Sequence, residues 1–345
     1  MPSEQSAVAF HRPVFLVTDA WHPQVNGVVS TWSYVQRELG EMGVDLQVIH
    51  PGGSRGLRVP GEPDLLLSTE PRRHLQRLLA GRLPAALHIA TEGPLGWAAR
   101  ALALAAGWSY TTSYHTRFPE YLKARFGMPA AWTYRFLRRF HKDSSAVLVP
   151  TEAMRASLER AGFARTRVWS RGVDSLRFAP GRRDGLDLPR PIMLYAGRVA
   201  PEKNLEAFLG LDLAGSRVVI GDGSDMPRLQ SKFPGVHWLG RQPHDSLARY
   251  YDAADVFVFP SRTDTFGLVM LEAMACGCPV AAFPVTGPID VVTAGVDGAL
   301  NEDLRLACEQ ALALPREQVR CAAVSRSWTA IARDLLAVLR PIQAA

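Results

Sequence analysis

A chain of 345 residues, 47% of them hydrophobic, is long for a single core and too apolar for a disordered protein, so two domains are expected. The 39 Lys and Arg against 33 Asp and Glu give a net charge of +6, and the excess is confined to residues 1–180, which hold 22 cations against 14 anions. Cys276, Cys278, Cys308 and Cys321 form no CxxC and have no paired His, which argues against zinc and disulfides. The start MPSEQSAVAFHRP is too polar for a secretory signal, and the apolar run 98–108, broken by Arg100, is too short to span a membrane.

In chain order, Val14–Thr18 reads as an apolar strand, followed by the turn HPQVNG and a helical pattern through Glu41. Leu46–His50, Ala86–Ala90, Tyr110–Ser113 and Ala146–Val149 read as further strands, with helical stretches between several of them. The polar, turn-rich stretch PGRRDG (180–185) is the best linker. The alternation then restarts with Ile192–Ala196, Val218–Ile220, Val236–Leu239 and Val256–Phe259, and a last helical stretch covers Trp328–Leu339. Two successive βαβ series predict an α/β protein of two doubly wound domains with a cleft between them. The expected division is 1–180, 181–325 and a C-terminal helical segment 326–345 able to pack on either domain.

The most informative stretch is SRTDTFGLVMLEAMACGCPVAAFP (261–284), where Glu272 is the only charged side chain between Asp264 and Asp290. Helix from Gly267 onward would start at a strand's C-terminal end, where open α/β sheets bind ligands. Glu272 suits neutral hydroxyls such as a ribose diol, and Asp264 suits a second sugar; the alternative is an exposed or internally paired Glu272 and a helix-capping Asp264. In YAGRVAPEKN (195–204), Arg198 and Lys203 fall on a loop at the same sheet edge, with Asn204 starting a helix. They could neutralise a diphosphate leaving group or simply form surface ion pairs. GDGSDM (221–226) lacks the third Gly of a dinucleotide fingerprint and reads as a tight turn. His115 ends a strand facing the expected cleft, where it is either functional or a satisfied core histidine. On a helical wheel, AWTYRFLRRFHKD (131–143) puts Trp132, Phe136, Leu137 and Phe140 on one arc and Arg135, Arg138, Arg139 and Lys142 on another. That pattern describes a helix lying on anionic lipid, or a core-packed helix with a solvated basic face. The basic first half fits an anionic partner, or the arginine bias of a chain with only four Lys.

Taken in order, TDAWHPQVNGVV, SYHTRFPEY, RGVDSLRF, YAGRVAPEKN, GDG and SRTDTFGLVMLEAMACGCPV, then SW at 327–328, resemble the retaining nucleotide-sugar glycosyltransferases of family 4, which have the GT-B fold of two facing Rossmann-like domains. The look is nearest to bacterial diacylglycerol glycosyl- and mannosyltransferases. The resemblance implies that Glu272 holds the donor ribose, while Asp264 and the backbone of Phe266, Gly267 and Leu268 hold the transferred sugar and phosphates. It places Arg198 and Lys203 on the diphosphate, His115 near the reacting carbon of the donor sugar, and Gly27 in a glycine loop over the diphosphate. It implies catalysis with no cofactor or metal, and a last helix that returns to the first domain. One departure stands out: the family's first acid is usually Glu, and Asp264 is one methylene shorter.

The resulting expectation is a peripheral enzyme on the cytoplasmic face of the membrane. It would move a hexose or uronic acid from a nucleotide diphosphate sugar, a UDP-sugar first, to a lipid acceptor such as diacylglycerol. The alternatives are a GDP-mannose-dependent mannosyltransferase, a transferase for a polysaccharide or lipopolysaccharide acceptor, and a non-catalytic nucleotide-sugar-binding protein. No nucleic acid partner is expected.

Overall fold

The computed structural model describes residues 10–24, 26–59, 62–115 and 128–343, with only the backbone of 59 and 62–65. Two six-stranded parallel sheets form two α/β units. The first contains β1 (Val14–Val17), β2 (Leu46–Ile49), β5 (Ala86–Ile89), β6 (Thr111–Ser113), β7 (Val147–Val149) and β8 (Thr166–Val168), in the order β2-β1-β5-β6-β7-β8. The second contains β9 (Ile192–Ala196), β10 (Ser216–Ile220), β11 (His237–Gly240), β12 (Val256–Phe259), β13 (Val280–Ala282) and β14 (Gly298–Leu300), in the order β11-β10-β9-β12-β13-β14. Between β2 and β5, β3 (Gly56–Val59) and β4 (Glu62–Ser68) form a separate antiparallel hairpin. The runs VFLV, IMLYA and VFVF are buried along their whole length because helices cover both faces of each sheet.

Strand order fixes where a ligand can enter. From β1 the chain adds β2 on one side and β5 on the other, and from β9 it adds β10 on one side and β12 on the other. The crevices open at the C-terminal ends of β1 and β5 in one sheet and of β9 and β12 in the other. Five elements were absent from the sequence reading. The strand Thr166–Val168 is mostly exposed, Val280–Ala282 and Gly298–Leu300 have three residues each, and the two hairpin strands lie outside the alternating pattern.

Caps start the helices that frame the first crevice. Asn26 accepts from Val28 N and Val29 N at the head of the helix Gly27–Glu41. Asp19, just beyond β1, reaches across to accept from Leu95 N (2.9 Å) and Gly96 N (3.3 Å), capping the helix Pro94–Ala105 from a different loop. Burial raises the Asp19 carboxyl above the usual range, while the Leu95, Thr91 and Gly96 hydrogen bonds pull the other way.

The last helix, Trp328–Val338, returns to the first sheet's core. Trp328, Ile331, Ala332 and Leu335 pack with Val14, Leu16, Trp32 and Trp169. Trp328 stacks on Tyr34 at 4.9 Å, and Trp169 Nε1 donates to Ile331 O at 2.9 Å. The chain therefore crosses between the two units twice, side by side, with Val173 N donating to Arg326 O at 2.9 Å. Gly172 is the point of closest approach, since a Cβ there would lie 2.5 Å from Trp328 N. All four cysteines are free thiols; burial pushes Cys278 and Cys308 up to about 12, which leaves them unreactive. Among the described residues no helix is long and apolar enough to cross a membrane. Gly172→Ala is expected to lower the unfolding free energy by about 1–3 kcal/mol through overpacking at this crossing; an unchanged urea midpoint would contradict the close approach.

Candidate active site

The acid-bearing loop follows β12, and its geometry is set by glycine. Gly267 has φ +89°, and a Cβ there would fall 2.8 Å from Met270 Cε and 2.9 Å from Phe259 Cζ. The helix Leu268–Ala275 begins immediately after it. Phe266 turns its ring into the core, leaving its backbone at the helix start, where the first N–H groups have no intrahelical acceptors. Asp264 does not cap this helix. Its Oδ1 accepts from Lys203 Nζ at 2.6 Å, while its Oδ2 is buried with no hydrogen-bond partner. Burial would raise the carboxyl, but the Lys203 charge and hydrogen bond, with help from Ser261 and Arg198, hold it below the usual range. Asp264 thus stays ionised at neutral pH, with one oxygen uncommitted.

Lys203 is placed by the loop after β9. Pro201–Lys203 is a 3₁₀ turn, and Asn204 adopts a left-handed backbone (φ 54°) while its side-chain amide donates to Pro260 O at 3.1 Å. The expectation that Asn204 begins the helix is corrected: the helix is Leu205–Leu209, because a left-handed residue interrupts the right-handed path. The Asn204 bond ties the basic loop to the acid loop. Arg198 pairs with Glu202 at 2.9 Å and is about half exposed. Both cations are therefore paired, Lys203 with the acid of the neighbouring loop.

Glu272 lies in the second turn of its helix, nearly buried and internally held. His244 Nε2 meets Oε1 at 3.0 Å, and Tyr251 OH donates to Oε2 at 3.2 Å. Neither partner was found in the sequence, although PHDSLARYY follows β11 at the same sheet edge as the other site loops.

From the first unit, the structure brings Gly27 and His115 to this loop. A Cβ on Gly27 would lie 4.0 Å from Leu268 Cδ1, and the His115 carbonyl accepts from Thr265 Oγ1 at 2.9 Å. The His115 ring is occupied on both sides, by Trp32 Nε1 at Nε2 and by the Arg171 guanidinium at Nδ1, each at 3.0 Å. A neutral imidazole has one accepting nitrogen for these two donors, and an imidazolium has none. Burial, then the Arg171 charge and nearby His88, keep its pKa well below the usual range, so His115 is neutral and no proton carrier. Arg171 is itself buried, and desolvation lowers it to about 9. Thr265 and Arg171 also escaped the sequence reading, because nothing in spacing joins residues so far apart.

Two family models match the chain: "Glycosyltransferase Family 4" over residues 25–177 and "Glycosyl transferases group 1" over residues 190–314. The GDP-mannose-dependent alpha-mannosyltransferase of Mycobacterium tuberculosis is 32% identical over 94% of this chain and 95% of its own length. The alpha-monoglucosyldiacylglycerol synthase of Streptococcus pneumoniae is 27% identical over 77% of this chain and 70% of its own. Among solved structures, Anabaena HepE in complex with UDP-glucose superposes with a TM-score of 0.71 at 15% identity, covering 94% of this chain and 98% of that one. A nearly full-length relative above 30% identity, two matched family halves and two facing Rossmann-like units agree: the chain belongs to glycosyltransferase family 4 and is a hexosyltransferase of the GT-B fold.

Proposed function

We propose that the enzyme transfers a hexose, with retention and without a metal, from a nucleotide diphosphate sugar to the hydroxyl of a membrane lipid. The observation that carries the donor half is the buried, unpartnered Asp264 Oδ2 beside Lys203, a hydrogen-bond acceptor that awaits a sugar hydroxyl. Lys203 retains ammonium protons for a phosphate while paired, and Arg198, paired with Glu202, is about half exposed on the same loop. The two cations and the helix start at Gly267–Leu268 offer fixed positive charge to the diphosphate as its bond to the sugar loosens. The leaving phosphate takes the acceptor proton on the face it departs from, which suits a site whose neutral His115 has both ring nitrogens engaged by Trp32 and Arg171. Glu272 holds the ribose hydroxyls. For the donor, the sequence put a UDP-sugar first; the full-length likeness to an enzyme named for GDP-mannose moves GDP-mannose ahead.

The lipid half rests on the helix Ala130–His141. The sequence placed its apolar residues on one arc, but that arc is split: Leu137 and Phe140 are buried, while Trp132 is 74% and Phe136 51% exposed. At roughly 100° per residue, the two aromatics fall at the arc's solvent edge, next to exposed Arg135, Arg138, Arg139 and Lys142. A core-packed helix has no use for an exposed tryptophan ringed by cations, whereas an anionic bilayer surface accepts both. The likeness to a diacylglycerol glucoside synthase supports the same class of acceptor. Docking there would make the enzyme peripheral on the cytoplasmic face of the membrane.

Incubation with membrane lipid extract and a panel of GDP- and UDP-sugars, followed by mass spectrometry, should show a lipid gaining one hexose; modification of polysaccharide alone would favour the soluble-acceptor alternative. Lys203→Ala should lower turnover about 100-fold while weakening donor binding far less, and equal losses in both would remove its role at the leaving group. Anionic vesicles should float the wild type at moderate salt but not the Trp132→Ser/Phe136→Ser variant, and wild type left at the bottom of the gradient would refute the docking helix.

A further inference from the structure

Glu272 is oriented by a chain of hydrogen bonds that begins at the domain crossing. Arg177 lies five residues past Gly172, and its Nη1 donates to His244 Nδ1 at 3.0 Å. An arginine can only donate, so His244 Nδ1 presents its lone pair and the ring proton sits on Nε2, facing Glu272 Oε1. The ring also packs edge-on against Phe178 at 5.3 Å. Arg177 in turn meets both units. It pairs with Asp245 at 2.7 Å in the second and donates to Tyr34 OH at 3.4 Å in the first, where Tyr34 is clamped on Trp328.

A carboxylate has about four lone-pair positions. His244 takes one on Oε1 and Tyr251 one on Oε2, which leaves one free on each oxygen. Two acceptors held in one plane are what a vicinal diol requires, and a glutamate without internal donors would turn freely about its last torsion.

We propose that Arg177 and His244 are positioning residues for donor recognition: Arg177 sets the tautomer of His244, and His244 turns Glu272 so that its two free acceptor positions meet the ribose 2′,3′-diol. This rests on the reading of Glu272 as the ribose holder. Because Arg177 touches both units, carboxylate orientation and domain approach are coupled through one side chain.

Calorimetric titration with GDP and UDP, each alongside its 2′,3′-dideoxy form, tests this without knowledge of the transferred sugar. His244→Ala should weaken the better-binding ribonucleotide about tenfold and leave its dideoxy form unchanged, the size expected for a hydrogen bond to a charged group. His244→Gln, whose amide can donate from the Nε2 position, should recover most of the loss. Arg177→Met should weaken the ribonucleotide about threefold, again only where the diol is present. Equal weakening of both nucleotide forms by His244→Ala would mean general distortion and overturn the proposal. Full affinity in Glu272→Gln would overturn the ribose reading itself, whereas loss in that variant with none in His244→Ala would overturn positioning alone. If wild type binds neither diphosphate, both fall.

Discussion

The side-by-side crossing at Gly172 and Ser327–Trp328 is the constraint from which the cleft follows. Each sheet is parallel, so every strand end on one edge carries a loop, but nothing within a sheet aims that edge at its counterpart. The aim comes from two strands of connection locked together by the Val173–Arg326 bond and by a glycine that leaves no room for slack. The last helix extends the lock. Trp328 stacks on Tyr34 and Ile331 accepts from Trp169, so the C-terminal segment belongs energetically to the first unit's core. With both crossings fixed, Gly27 and His115 reach the loop of Thr265 and Leu268, although more than 140 residues separate them in sequence from it.

Within that frame, the charges at the sheet edges are paired rather than left alone. Lys203 and Asp264 neutralise each other in a partly buried place, where an unpaired charge would cost several kcal/mol. The pair leaves an ammonium with spare protons and a carboxylate whose second oxygen is buried without a hydrogen-bond partner. Glu272 follows the same rule, since His244 and Tyr251 satisfy half of its acceptor capacity. An anion there would be repelled, while hydroxyls are welcome. The residues that hold the acids are therefore as informative as the acids.

Legibility in the sequence followed the physical range of each signal. Continuous apolar runs such as VFLV and VFVF announced buried parallel strands because burial on both faces leaves a local mark. The isolated Glu272, eight positions after Asp264 and separated from it by Phe266-Gly267, was visible because a lone charge in an apolar helix needs a reason. Short or exposed strands such as Val280–Ala282 and Thr166–Val168 were not, since three residues carry no period and an exposed strand need not be apolar. The wheel of 131–143 correctly separated apolar from basic residues. It could not show that Leu137 and Phe140 are buried while Trp132 is left mostly exposed, because a wheel contains the helix and not what packs against it.

By itself, the sequence determined the class of the fold, the two series of strands and the loops that carry Arg198, Lys203, Asp264 and Glu272, all features written in contiguous residues by periodicity, turn chemistry and isolated charge. Only the tertiary structure decided the pairings: Lys203 with Asp264, Glu272 with His244 and Tyr251, His115 with Trp32 and Arg171, and Arg177 across both units. Hydrogen bonds act over about 3 Å in space and are indifferent to separation along the chain. Partners tens or hundreds of positions apart leave no local trace until the sheets have formed and the crossing has brought their edges together.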